Sequence, residues 1–393
     1  MQKKTLTTIM ALLILLTMVL AACAPAEAPA AEAAESVAVE EEVEEAPVEE
    51  AEEAPAAEET AAEPVVITDS LGNTVELESL PQRVVVAGKA TPFTLATTYL
   101  FAEASDQVVA QELRGLTTPE FLSLIDPKYD EKQVLEMESG PEQIAPANPD
   151  LVIMKNWAVG KLGAALQEID IPVIGLNLET PDKFYQDMDA LGAAFRNPDR
   201  AAEIKDYFQS RISTIEQNAT ALTDEEKPTV LVLQYSESDG EVAFKVPPAS
   251  YLQTMIVSGS GGTPVWADGT DEETSWIVVN FEQIAAWDPD MVFVINYKGS
   301  SQDTVDGLKA DEKWQELQSV KNEQIFGFAG DYQSWDLPSP TWLLGYLWIA
   351  TKIQPELNAD LDMNAEVTSF YQTMYRLDET QIEESILPRL VLP

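Results

Sequence analysis

The sequence predicts an α/β protein of two similar lobes with parallel-type sheets, joined by one long rigid helix. Three observations predict it. Strand-like and helix-like segments alternate through the body, as in sheets covered by helices. The segment PEQIAPANPDLVIM at residues 141–154 recurs as FEQIAAWDPDMVFV at 281–294, with Glu, Gln, Ile, Ala, Pro, Asp and Val at the same offsets. Between the copies, Asp199 to Leu222 reads as one helix, with apolar Ile204, Phe208, Ile212 and Ile215 at three- and four-residue spacing.

Taken in order, Val65 to Leu77 (VVITDSLGNTVEL) alternates around Leu71-Gly72-Asn73 and predicts a hairpin. Arg83 to Gly88 predicts a buried strand, and Thr91-Pro92 opens a helix to about Phe101. Further strands are expected at 108–110, 151–154 and 173–176, and after Lys227-Pro228 at 229–233, 291–295 and 324–328. Each copy of the repeat reads as a short helix, a Pro-Asp turn and a strand apolar on both faces. The interval between copies is too long for a solenoid. Two Rossmann-like lobes explain it better, at residues 65–198 and 223–393, with 199–222 as the connecting helix. Ser258-Gly259-Ser260-Gly261-Gly262 is followed by no Lys-Ser/Thr and reads as a helix stop and turn, not a phosphate loop.

The front of the chain reads as an address and a tether. Lys3 and Lys4 precede the apolar run Ile9 to Leu20, which is short for a membrane span and fits a secretion signal. Leu20-Ala21-Ala22-Cys23 resembles the bacterial lipobox, which marks Cys23 for lipidation and residues 1–23 as signal and lipobox. Residues 24–64 are low-complexity Ala, Glu, Pro and Val, too poor in large apolar groups to offset ordering entropy.

Composition narrows the chemistry. The 393 residues carry a net charge of −45, and without the 15 Glu of 27–63 and Lys3 and Lys4 the remainder still carries −32. A nucleic-acid partner is disfavoured, because phosphate binding needs clustered Lys and Arg. With one Cys and no His, neither an internal disulfide nor a Cys/His metal site can form. A secreted hydrolase would need a base other than His, and there is no Gly-x-Ser-x-Gly elbow. An adhesive stalk protein would show repeats of small modules, and only one two-fold duplication is visible.

On these residues the chain resembles the iron-chelate and cobalamin class of ABC-importer solute-binding proteins, over essentially all of 65–393. The landmarks are TDSLGNTVELESLPQRVVV, both E-x-I-x-x-x-x-P-D-Φ-V segments, and SWDLPSPTWLLGYLWIATKIQPEL, behind LAAC. The resemblance implies an extracytoplasmic, lipid-anchored, monomeric binding protein without catalysis or cofactor. It would deliver a small chelate to a permease dimer and its ATPase subunits. It also implies that Glu142 and Glu282, at equal places in the repeat, meet arginines of the permease; an idle Glu favoured by the helix dipole is the other reading of each.

The ligand is expected between the lobes, at loops leaving the carboxyl ends of strands. Arg114, Trp157, Tyr235 and Tyr297 follow strands, Trp276 precedes the second Glu motif, and Asp331, Tyr332 and Trp335 follow strand 324–328. Each aromatic alone also fits rim packing; as a set they read as a stacking platform for a large flat ligand. Expected cargo is an iron-siderophore or related iron complex, with a corrinoid or an oxyanion as alternatives. A single Arg near the cleft favours a neutral or cationic chelate over an anionic one.

Overall fold

The computed structural model describes residues 63–114, 119–238, 240–270 and 275–393. The signal segment, Cys23 and nearly all of the tether lie outside the described residues. The described residues fall within one unit, so the two main sheets belong to one body.

A small hairpin comes first, β1 (Val65–Thr68) against β2 (Thr74–Leu77). The Asp69 carboxylate closes its turn by accepting from the Leu71 and Asn73 amides at 3.0 and 2.9 Å. Its other oxygen accepts from the Gly175 amide at 3.1 Å, which fastens the hairpin to the first main sheet.

That sheet is wholly parallel. It comprises β3 (Val84–Val86), β4 (Val108–Glu112), β5 (Gln133–Leu135), β6 (Leu151–Lys155) and β7 (Val173–Leu176), in the order β5-β4-β3-β6-β7. β3 and β6 are buried along their whole length, as a strand covered on both faces requires.

The second sheet is mixed. β8 (Thr229–Ser238) and β9 (Glu241–Val246) form an antiparallel hairpin, β10 (Thr263–Pro264) pairs with the start of β8, and β11 (Ile277–Val279) pairs antiparallel with β9. β12 (Met291–Ile295) and β13 (Ile325–Gly327) run parallel to β8, giving the order β11-β9-β8-β12-β13. A parallel-type sheet was expected here, and the hairpin is the departure. Its signal stands in the sequence: EVAFKV alternates in polarity directly after Asp239-Gly240, a favoured hairpin dipeptide.

The repeat does the same work in both sheets. Asp150 accepts from the Gln82 and Arg83 amides at 2.7 and 2.9 Å, immediately before β3. Asp290 accepts from the Thr229 amide and hydroxyl at 2.8 and 2.6 Å, at the start of β8. In each lobe the Asp of the Pro-Asp pair therefore ties the repeat's strand to the adjacent strand. The residue ending the preceding helical segment is left-handed in both copies, Asn148 at φ 49° and Asp288 at φ 40°.

The connecting helix runs Pro198–Thr220, opened by Asn197, whose side chain accepts from the Arg200 amide at 3.0 Å, with Pro198 in the first turn. Its buried stripe is Ala201, Ile204, Phe208, Ile212 and Ile215. Phe208 lies 4.6 Å, ring to ring, from Phe184 on the first-lobe helix Pro181–Ala194. It lies 5.2 Å from Trp342 on the largely apolar helix Trp342–Ile353 of the second lobe. The chain then crosses back. After helix Met363–Tyr375, Arg376 donates to the carbonyls of Tyr99 and Leu100, both at 2.8 Å, and Arg200 holds the carbonyls of Leu100, Thr373 and Met374. Gly261 follows helix Leu252–Gly259 at φ +84°, where Leu222 leaves no room for a side chain.

One buried carboxyl makes the first lobe sensitive to pH. Asp187 accepts from the Asn177 and Leu178 amides at 2.9 and 2.8 Å, just past β7. Burial pushes its pKa up to about 7, against the hydrogen bonds from the Leu178 and Asn177 amides and the Lys155 charge. The unfolded carboxyl ionises near about 3.9. The folded state thus holds the extra proton between those values, and stability falls as pH rises through that window. Asp187→Asn, whose carbonyl can still accept from both amides, is expected to flatten the pH dependence of the urea midpoint between about pH 4 and 7. The removed variation should amount to as much as roughly 4 kcal/mol. An unchanged slope in the variant would place the titration elsewhere.

Candidate functional site

In the first lobe the chain order reverses between β3, whose connection leads toward β4, and β6, whose connection leads toward β7. The carboxyl ends of such strands leave a crevice that no crossover covers. Here it has a volume of about 630 or 520 Å³ in the two lobes, the second lobe's crevice being the larger. Both lie in the range of small-molecule sites.

The first-lobe crevice is built on a buried anion. Glu112, at the end of β4, is fully enclosed. Its carboxylate accepts from the Gly88 amide, the Glu138 amide and the Arg114 Nε, at 2.9, 2.9 and 2.8 Å. One side chain thereby fixes the loop after β3, the loop before the Glu142 helix, and the direction of Arg114. Gly88 is left-handed at φ +88°, and a β-carbon there would press on Ala158 at 3.3 Å. Glu138 is left-handed too, at φ 64°, in a turn that the bond to Glu112 holds.

Around this frame stand Lys89, Arg114 and Lys161, with Trp157 beside them. Trp157 follows β6 and is 52% exposed, unusual for so large an apolar ring. Among the described lining residues Glu138 is the one carboxylate, placed at 4.0 Å from Lys89 and from Arg114. Three cations stand against two carboxylates, exposed Glu138 and the buried Glu112 that pairs with Arg114, which leaves a net-positive recess on a strongly acidic chain. Sequence reading named Arg114 and Trp157 here. Lys89 escaped it because it lies past a strand end marked only by glycine, and Lys161 because it sits a helical turn beyond Trp157.

The second-lobe residues named from sequence do not form one platform. Tyr235 lines the second-lobe crevice, between hairpin β8–β9 and helix Ser301–Ala310. Trp276 meets Tyr297 edge-on at 6.4 Å, and the Tyr297 hydroxyl donates to Asp336. Tyr297 and Tyr251 both feel the charge of Glu179, a first-lobe carboxylate paired at 2.6 Å with the buried Lys155 at the end of β6. Carboxyl-end loops of the two sheets thus approach one another at this point.

Trp335 requires a correction. It is fully buried, and its indole donates to Asp331 at 3.1 Å, so it packs the core and cannot stack on a ligand. Asp331 is likewise engaged, accepting from Trp335 and from the Tyr371 hydroxyl, and burial raises its pKa against those bonds. Tyr332 is sandwiched by neighbours, with Phe121 at 5.2 Å and the Arg389 guanidinium 4.6 Å over its ring. These three residues brace the wall between the lobes. Their carboxylate and aromatic chemistry reads the same in sequence whether it faces inward or out.

Glu142 and Glu282 are both exposed, each the second residue of its helix, Pro141–Ile144 and Phe281–Trp287. Gly140 and Asn280 cap those helices, with Gln143 reaching back to the Gly140 amide at 2.7 Å and Asn280 accepting from the Gln283 amide at 2.8 Å.

Comparison with known proteins agrees with this architecture. The family model described as periplasmic binding protein matches residues 112–332. The molybdate-binding protein MolA of Haemophilus influenzae is 23% identical over 254 residues, 60% of this chain and 69% of its own. A periplasmic solute binding protein from Veillonella parvula superposes with TM-score 0.65 at 21% identity, covering 82% of this chain and 96% of that one. A protein of an ABC-type Fe3+-hydroxamate transport system from Saccharomonospora viridis gives TM-score 0.56 at 20% identity, over 74% and 99%. The chain belongs to the periplasmic binding protein family: it is an extracytoplasmic solute-binding component of an ABC importer, working with a permease and its ATPase, and not an enzyme.

Proposed function

We propose that the chain captures an anionic metal chelate, an iron-siderophore or related iron complex, in the first-lobe crevice and carries it to the permease. The observation that carries this reading is the convergence of Lys89, Arg114 and Lys161 around an exposed Trp157, in a chain of net charge −45. The sequence offered one Arg and so inclined toward a neutral or cationic ligand; three cations reverse that inclination. Cations pair with carboxylate, catecholate or hydroxamate oxygens, and the indole covers a flat face. On this reading the protein has no resident cofactor and acts as a monomer.

A second reading is a small oxyanion, favoured by the molybdate named in the MolA relative. It would use the same cations but occupy little of a crevice of about 520 Å³. Tryptophan fluorescence titration with a ferric-siderophore panel, cobalamin and molybdate separates the cases. Anionic ferric chelates are expected to quench at micromolar concentration, and Lys89→Gln with Lys161→Gln to weaken them about tenfold or more. Quenching by molybdate alone selects the second reading. Binding of cobalamin with neither anion overturns both.

Glu142 and Glu282 are proposed as the permease contacts, because two exposed carboxylates at matched positions of a duplicated motif suit a two-fold partner. Glu142→Ala with Glu282→Ala should leave chelate affinity unchanged while importer-dependent uptake falls. Docking losses of roughly 1–2 kcal/mol per contact are expected. Full transport by the double variant would return both residues to a helix-dipole role.

Lipid anchoring at Cys23 is proposed from Lys3-Lys4, the apolar run and LAAC, with residues 24–64 as the tether. Two or more acyl chains anchor stably where one is marginal. Cys23→Ser should release the protein from membranes on fractionation, and a variant still membrane-bound would refute lipidation.

A further inference from the structure

The second-lobe crevice lies at the matching reversal, between β8 and β12, yet its lining differs in kind from that of the first lobe. Half-buried Tyr235 and Phe244 and buried Trp314 form a connected aromatic floor, with ring centroids 6.0 Å apart for Tyr235–Phe244 and 5.3 Å for Phe244–Trp314. Glu237, Asp303 and Asp311 line the same space against one cation, Lys313. Every lining residue comes from 235–314, so the crevice belongs to the second lobe alone and does not depend on the gap between lobes. Its volume, about 630 Å³, exceeds that of the basic crevice.

Aromatic faces attract cations through their quadrupole, and carboxylates at the rim of the same recess add Coulomb attraction. An anionic ligand would meet three carboxylates there. We propose that this crevice is a second binding site, selective for a small organic cation bearing a guanidinium or alkylated ammonium group. The positive head would lie over Tyr235 and Phe244, between Glu237 and Asp303. Tyr235 donates its hydroxyl to Glu237 at 3.0 Å, which holds that carboxylate beside the ring. Asp303 sits in the first turn of helix Ser301–Ala310, its amide bonded to the Ser300 side chain at 3.0 Å, so its position is fixed by the cap.

The test is isothermal titration of the chain with agmatine and with tetramethylammonium chloride at constant ionic strength. Three proteins are compared: the unsubstituted chain, Glu237→Gln with Asp303→Asn, and Asp224→Asn with Glu225→Gln. The last pair removes equal charge from an exposed stretch outside the crevice. Saturable binding to the first and third, weakened about tenfold or more in the second, is the expected result. Absence of saturable binding to the unsubstituted chain overturns the proposal, as does equal weakening in both double variants, which would mark diffuse attraction to an acidic surface. Chelate quenching at Trp157 is measured on the same proteins. Its persistence in the crevice variant separates failure here from failure of the anionic-ligand reading.

Discussion

The architecture depends on the contact of Phe208 with Phe184 on one side and Trp342 on the other. A helix that merely linked two lobes would let them swing. Here one ring of that helix is packed into the cores of both, and the Arg200–Arg376 bonds to residues 99–100 and 373–374 close a second tie at the same end. Opening the lobes would separate aromatic rings and strand charged guanidinium donors. Losing a buried Phe contact set alone costs about 3–5 kcal/mol. Packing on both sides of the connecting helix therefore holds the two lobes in one arrangement.

Within that frame, carboxylates set positions that apolar packing cannot. Asp150 and Asp290 fix the strand pairs β3–β6 and β8–β12, and Asp69 fixes the opening hairpin. Glu112 goes further, gathering two loop amides and a guanidinium at the crevice floor. A buried ion pair adds little net stability, since desolvation consumes most of the Coulomb gain. What it supplies is geometry: Arg114 is aimed, and Gly88 and Glu138 are held in left-handed turns that their neighbours alone would not enforce.

How much was legible follows from which signals are local. The hairpin, the strands of the repeat and the stripe of the connecting helix are written as period 2, apolar runs and period 3.6, and the chain folds them where read. Hairpin β8–β9 was legible too, in alternation after Asp-Gly, but an α/β expectation masked it. The site was harder. Arg114 and Trp157 could be placed because each follows a strand end, whereas Lys89 is turned in by the left-handed Gly88 that Glu112 holds and Lys161 by the helical segment after Trp157. Trp335 shows the converse limit: its loop was placed correctly after a strand, yet its ring turns inward to Asp331, and sequence does not record which way a loop side chain faces.

Duplication produced two lobes with the same handles and opposite crevices. Glu142 and Glu282 keep equal places because each sits at a helix start fixed by its own cap and by the Asp tie behind it. The crevices escape that constraint, since their linings come from loops and helix faces outside the repeat. In the first lobe parallel β4 delivers Glu112 and Arg114 to the crevice; in the second, β9 runs the other way and delivers Phe244 with Val242 in their place. Reversal of one strand thus exchanges a charged floor for an aromatic one. The surrounding −32 of charge then acts on both, repelling anions at long range while salt screens it beyond about 8 Å. An anion reaches the first crevice only by meeting its three cations at close quarters, and a cation is drawn toward the second from the outset.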